Sequence, residues 1–210
     1  MPIRQWVKRG VKKILTAQGY QIRKIQPKPQ TPAPGQTGGT APPIGPERST
    51  MGAALHSLAR RLPTIVSIID IGASNGMWTE GALDYFPQCQ YLLIEAQPVH
   101  ALALTQFCRK HPNTSCVLAA AGASVGEIYF DASEPLGGVA GYTPFSANNI
   151  QVPVTTVDVQ TRAHALPGPY LLKLDTHGFE VPIFEGASTT LANTAAIVVE
   201  CYIRKFQPET

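Results

Sequence analysis

Apolar and polar positions alternate in blocks along most of the chain. Thr64–Ile71 (TIVSIIDI) is a continuous, β-branched apolar run, the pattern of a strand buried on both faces. Gln90–Glu95 (QYLLIE), Ser115–Ala120 (SCVLAA), Tyr170–Asp175 (YLLKLD) and Ala195–Tyr202 (AAIVVECY) repeat that pattern. Helices are predicted between them: Met51–Leu62, a segment from the Gly72–Gly76 turn through Tyr85, Pro98–Lys110, and about Val181 to Leu191. Glu127–Asp131 and Gln151–Val159 read as shorter strands of a local excursion. Strands that alternate with helices predict an α/β fold, a doubly wound and mainly parallel sheet.

The first residues follow a different pattern. Ile3, Trp6, Val7, Val11, Ile14 and Leu15 lay one apolar stripe along a helix, with Lys8, Arg9, Lys12 and Lys13 mostly off it. Lys12 and Lys13 interrupt any signal-peptide core. The helix is expected within residues 1–26. Three readings stay open for it: packing on the body or a partner, lying on an anionic membrane surface through residues 1–24, or a disordered or targeting tail. Residues 27–46 hold seven prolines and four glycines and almost no large apolar side chain, which predicts a linker. Residues 47–210 form the expected body.

Composition narrows the function classes. The chain has 210 residues, 44% of them hydrophobic, with a net charge of +3. Residues 1–46 hold eight basic residues and no acid, so the remaining nine basic residues and all fourteen acids leave the body at −5. An acidic body is not where a nucleic-acid surface is sought, and no nucleic-acid partner is expected. No apolar run reaches the ~18 residues of a membrane span. Cys89, Cys108, Cys116 and Cys201 form no CxxC and read as buried or reduced thiols of a cytoplasmic protein, with peripheral membrane contact left to the tail.

The strongest chemical signal is Ile68–Gly76 (IIDIGASNG). An apolar strand ends in an acid, and a turn of small residues feeds a helix whose first N–H groups are free for a ligand. Nineteen residues after Gly76 a second apolar strand ends in Glu95, where an acid reaches the hydroxyls of a ribose. A dinucleotide fingerprint needs a second glycine where Ala73-Ser74 stand, so the ligand is expected to lack phosphates. S-adenosyl-L-methionine fits: Asp70 orients its ammonium through water or backbone, and Glu95 holds its ribose.

At this point the sequence resembles a known family. DIGASNG, LLIEAQP, VPVTTVD, LLKLDTHGFEVPIFEGA and IVVECY are similar to motifs of the FkbM family of S-adenosylmethionine-dependent methyltransferases, over roughly residues 60–205. The resemblance implies a Rossmann-like sheet of the class I methyltransferase type. It implies methyl transfer to a hydroxyl of a sugar, glycan or natural product. Carried over residue by residue, Asp70, Gly72, Ala73 and Gly76 match the cofactor turn and Glu95 the ribose acid. Ser74 stands in the place of the family's asparagine and Asn75 in its variable place, so the role of either side chain is open. Sheets of this family continue beyond IVVECY, and the body is expected to be short of those last strands.

Methyl transfer to oxygen needs an acceptor hydroxyl, a base for its proton, and exclusion of water. The block Lys173–Glu180 (KLDTHGFE) follows a core strand that ends at the same crevice. Asp175, His177 and Glu180 are the candidate catalytic groups, with Glu180 equally readable as a helix N-terminal carboxylate. Lys173 and Asp175 share one strand face, so an ion pair competes with a substrate contact. Asp175 and Glu200 are too few ligands to assign a metal. His56, His100, His111 and His164 show no ligand spacing. Two other readings compete with the methyltransferase: a non-catalytic module of the same fold that binds a partner or membrane, and an NAD(P)-binding oxidoreductase, disfavoured by the missing glycine.

Overall fold

A computed structural model describes residues 50–200 of the chain. The expected basic helix, the linker, and the last residues of the strand expected at 195–202 lie outside the described residues. In chain order the elements are α1 (Thr50–Arg61), β1 (Ser67–Ile71), α2 (Met77–Leu83), β2 (Gln90–Glu95), α3 (Ala101–Lys110, entered through a 3₁₀ turn at Pro98–His100), β3 (Thr114–Leu118) and β4 (Ala120–Ala121). They continue as β5 (Gly126–Asp131), β6 (Val139–Gly141), β7 (Asn149–Thr155), α4 (Val157–Ala163), β8 (Tyr170–Leu174), α5 (Glu180–Glu185), α6 (Ser188–Leu191) and β9 (Thr194–Val199).

Five strands make an all-parallel sheet in the order β3-β2-β1-β8-β9. Its central strands are buried throughout, which is why their sequences run apolar without alternation. Period-2 geometry sends Ile69, Leu92 and Leu172 to one face, against Val157, Ile183, Phe184 and Leu191. Ile68, Leu93 and Leu171 go to the other, against Leu55, Ala82, Leu104 and Phe107. Each such side chain contributes roughly 1.5–3 kcal/mol of burial. Helices cover both faces, so the doubly wound architecture expected from the sequence is the one present.

The local excursion is a second sheet, ordered β4-β7-β5-β6, with a small core of Ala120, Ile128, Phe130, Val152 and Val154. Three details differ from the sequence reading. The strand expected through Val159 stops at Thr155, because Thr156 caps a helix: its Oγ1 accepts from the Val159 N–H at 3.1 Å. The helix expected over 181–191 splits into α5 and α6 at Gly186, whose Cα lies against the Gly122 carbonyl so closely that no side chain fits. The strand expected over 115–120 ends at Leu118, and Ala119 turns the chain into the second sheet by donating its N–H to Glu95 O at 2.8 Å.

Asp158, in the first turn of α4, ties this region together. Its carboxylate accepts from Thr189 N (2.9 Å), Thr190 N (2.8 Å) and Thr190 Oγ1 (2.7 Å) at the start of α6. Burial pushes this carboxyl upward, but the hydrogen bonds from Thr189 and Thr190 together outweigh it and hold the group below its ordinary value. Cys89, Cys108 and Cys116 are free thiols, and Cys116 is pushed up to about 11 by burial first and then by the neighbouring Cys108. Such a thiol is a poor nucleophile. Among the described residues no helix is long and apolar enough to cross a membrane.

Candidate functional site

β1 lies between β2 and β8, so the chain winds away from β1 in both directions and leaves a crevice beyond the strand ends. A cavity of about 430 Å³ opens there, within the range of small-molecule sites. One wall is the turn after β1 and the end of β2. The other is the loop after β8. The second sheet supplies the roof.

The first wall is mostly backbone. Gly72 has φ +73°, and a Cβ there would run into the Asp175 carbonyl, so only glycine suits the position. Its N–H donates to Ile94 O at 2.9 Å, which ties the turn to β2. Ala73 is buried and lines the cavity. Ser74 takes a left-handed φ of 51° and donates its N–H to Glu95 Oε2 at 2.6 Å. Gln97 N donates to Glu95 Oε1 at 2.6 Å. Glu95 is thus held rigidly at the cavity wall, and each carboxylate oxygen keeps a lone pair for a ligand hydroxyl. Asn75 lines the mouth and accepts from Met77 N at 3.2 Å, opening α2.

Two expected cofactor residues stand elsewhere. Gly76 caps α2 at φ +88° with its Cα against the Phe107 ring, outside the cavity lining. Asp70 is fully buried beneath the turn and does not line the cavity either. Asp70 and Lys173 are register partners in the β1–β8 pair, and their charged ends meet at 2.9 Å. Thr79 Oγ1 donates to the other Asp70 oxygen at 2.7 Å. Asp70 therefore anchors the turn from below, a place from which it reaches a ligand only through the backbone of the turn.

The second wall gathers the acceptor-side candidates. Asp175 continues the sheet for one residue, with its N–H on Ile71 O at 3.0 Å, and its partly exposed carboxylate lines the cavity. His177 Nε2 stands 3.6 Å from Asp175 Oδ1, and His177 Nδ1 lies 3.0 Å from the Gly138 carbonyl. A carbonyl oxygen only accepts, so Nδ1 carries a proton, and Nε2 is the ring nitrogen that faces Asp175. His177 adopts φ 52°, and a non-glycine residue held left-handed costs on the order of 1–3 kcal/mol, the kind of strain that sits in functional loops. Glu180, expected as a catalytic group, is buried and outside the lining. Its Oε1 accepts from Gly178 N at 3.0 Å and Thr176 Oγ1 at 3.3 Å, so it shapes the loop that presents His177. Glu200 lines the same cavity. Among the described residues no three acidic, histidine or cysteine groups are placed to share a metal ion.

Two site residues escaped the sequence reading. Gln97 Nε2 donates to Ala132 O (3.3 Å) and Glu134 O (3.4 Å) in the β5–β6 loop. His100 Nε2 lies 2.8 Å from Pro135 O and 3.2 Å from Ser74 Oγ. Together with His177 at Gly138, they pin that loop over the cavity, with Leu136 at its mouth. Sequence carries no direct signal for them beyond their place on the connection that follows Glu95, because their partners are about 35 residues away.

Among solved structures the chain is similar to precorrin-6y C5,15-methyltransferase from Geobacter metallireducens GS-15, at 16% identity and a TM-score of 0.37, over 72% of this chain and 60% of that one. It is also similar to an O-methyltransferase family protein from Burkholderia thailandensis, at 14% identity and a TM-score of 0.24, over 31% of this chain and 24% of that one. The chain thus spans less than two thirds of either solved protein. No curated protein matches it. The model of the methyltransferase FkbM domain matches residues 70–210, from the end of β1 onward, and the chain belongs to that family.

Proposed function

We propose that the chain is an S-adenosylmethionine-dependent methyltransferase acting on a hydroxyl of a sugar, glycan or natural product. One observation supports this most: Glu95 and the Asp175–His177 pair line opposite walls of a single cavity at the switch point of the sheet. The residues present fit the cofactor. Glu95 offers both oxygens to a ribose diol, Gly72 lets a ligand approach the backbone, and Ala73 and Ser74 leave no pyrophosphate cradle. When bound, the cofactor supplies an electrophilic methyl group on a sulfonium.

The chain's own residues do the rest. The turn Gly72–Asn75 and Glu95 hold the donor side. An acceptor hydroxyl at the second wall gives its proton to His177 Nε2, and Asp175 Oδ1, 3.6 Å away, stabilises the charge that forms. Positioning both reactants removes most of the entropic barrier. The β5–β6 loop excludes water. Phe179 lines the acceptor wall with Tyr142 beside it at a ring separation of 5.5 Å, an apolar shelf for the face of a sugar or aromatic ring. On this reading the basic residues within 1–24 bring the body to an anionic membrane surface. Co-sedimentation with anionic vesicles at low salt, lost at high salt, is the expected result for that part.

The test is direct. The full chain is titrated with S-adenosylhomocysteine, then incubated with methyl-labelled cofactor and a panel of methyl glycosides, phenols and long-chain alcohols. Label transfer to a hydroxyl supports the reading. Binding without transfer to any member favours a non-catalytic module. Bound NAD in the purified protein would overturn the reading.

A further inference from the structure

Among the described residues Lys173 is the one lysine or arginine in the cavity lining, and it is almost wholly buried, with 6% of its side chain exposed. A buried lysine paired with a buried aspartate usually has a structural explanation alone. Here the contacts go further. Besides the ion pair with Asp70 at 2.9 Å, Nζ donates to the Gly72 carbonyl at 2.8 Å and stands 3.9 Å from Asp175 Oδ2, with the Trp78 ring 5.9 Å away. Gly72 belongs to the cofactor wall and Asp175 to the acceptor wall. Their backbones are already in contact, because no Cβ fits between Gly72 and the Asp175 carbonyl.

We infer that Lys173 is a positioning residue that joins the two walls: one ammonium fixes the carbonyl of the cofactor turn and draws the Asp175 carboxylate into line with His177. The inference rests on the functional reading above. Asp175 has two oxygens with distinct neighbours, Oδ2 toward Lys173 and Oδ1 toward His177 Nε2. Among the described residues Lys173 is the charged partner of Oδ2, and without its ammonium the carboxylate is free to rotate about its χ angles away from the histidine. Asp70 keeps the ammonium at the right depth and balances its charge, so that Asp175 is not neutralised by a full ion pair at contact distance.

Lys173→Met alone strands the Asp70 charge in the core and is expected to fold poorly. The informative variant is the double substitution Asp70→Asn with Lys173→Met, which removes both charges and keeps side chains of similar volume. Thermal unfolding should place it near the wild type. Crystal structures of both proteins with S-adenosylhomocysteine should show the Asp175 carboxylate turned out of its contact with His177 in the variant. With an acceptor from the panel above, kcat should fall on the order of 10²-fold, the effect of a misplaced group, while the cofactor KM changes only a few-fold. A purely structural ion pair predicts the reverse: once stability is restored, kcat returns to the wild-type value and Asp175 keeps its place, and either result overturns the inference. Should the wild type transfer no methyl group, the functional reading fails on its own, and the position of Asp175 in the two crystal structures still decides the role of Lys173.

Discussion

The two walls of the crevice are built by different means. The wall proposed for the cofactor is backbone held by a sheet: Gly72 hangs from Ile94 O, Ser74 N and Gln97 N grip Glu95, and Asp70 anchors the turn from below. The wall proposed for the acceptor is mostly side chain: His177 leans on Asp175 and on one carbonyl of the β5–β6 loop, and that loop is pinned by Gln97 and His100. A backbone wall suits a ligand that never changes. A side-chain wall can be altered residue by residue without moving a strand, which suits a variable acceptor. The difference predicts that substitutions confined to one wall, Lys173 between them excepted, leave the function of the other nearly intact.

The largest effect should come from the acceptor wall. Asp175→Asn and His177→Ala are each expected to lower turnover by ~10²–10⁴-fold while S-adenosylhomocysteine affinity stays within a few-fold, measured by kinetics and calorimetry on the same samples. Full activity in His177→Ala would remove the histidine from the proton path. Glu95→Ala is the mirror experiment. Loss of charge-assisted bonds to a ribose should weaken cofactor binding by about 1–3 kcal/mol, with a smaller change in kcat once the cofactor is saturating. Equal loss of cofactor affinity in Glu95→Ala and His177→Ala would mean that the walls act as one.

Asp158 lies outside both walls and sharpens the comparison as a control. Asp158→Ala should lower stability by about 1–2 kcal/mol through four lost interactions at α6, without a selective effect on cofactor or acceptor. The sign of its pH dependence follows from a folded-state pKa held below the ordinary value. Its contribution is fully present above the unfolded value of about 3.9 and is lost as pH falls below it. Thermal unfolding at a series of acidic pH values should therefore show a shallower decline in Asp158→Asn than in the wild type. The smallest effect is expected from Gln97→Ala, which removes two long hydrogen bonds to the roof loop. The acceptor KM should rise a few-fold, about 0.5–1 kcal/mol, with cofactor affinity unchanged.

The sheet was legible because its strands are buried on both faces: TIVSIIDI, QYLLIE and YLLKLD carry that burial in their composition. The wall residues were legible where a strand end and a turn coincide, as at Glu95 and Asp175. At Asp70, strand-end position alone does not tell whether the side chain faces the crevice or the layer beneath. A better signal was present. One charge of each sign interrupts two otherwise apolar central runs, Asp70 in SIIDI and Lys173 in YLLKL, and buried charges of that kind pair. At Glu180, a carboxylate two residues after Gly178 is in reach of its own loop before it is in reach of a ligand, which suits the helix N-terminal reading that the sequence also offered. Gln97 and His100 could not be found from spacing, since their partners are carbonyls about 35 residues away that only the tertiary fold brings near.

The second sheet has a consequence for how such a protein changes over time. Its first strand and its last are paired side by side, Ala120 with Val154 and Ala121 with Thr155, so the chain leaves the framework and returns to it at the same place. Everything between is one contiguous insert whose two ends already touch. Replacing that insert with another of similar span demands no new crossing of the parallel sheet and no shift in its register. Exchanging residues 120–155 for another segment of similar span is therefore a change that the parallel sheet, the turn after β1 and Glu95 can accept without being rebuilt.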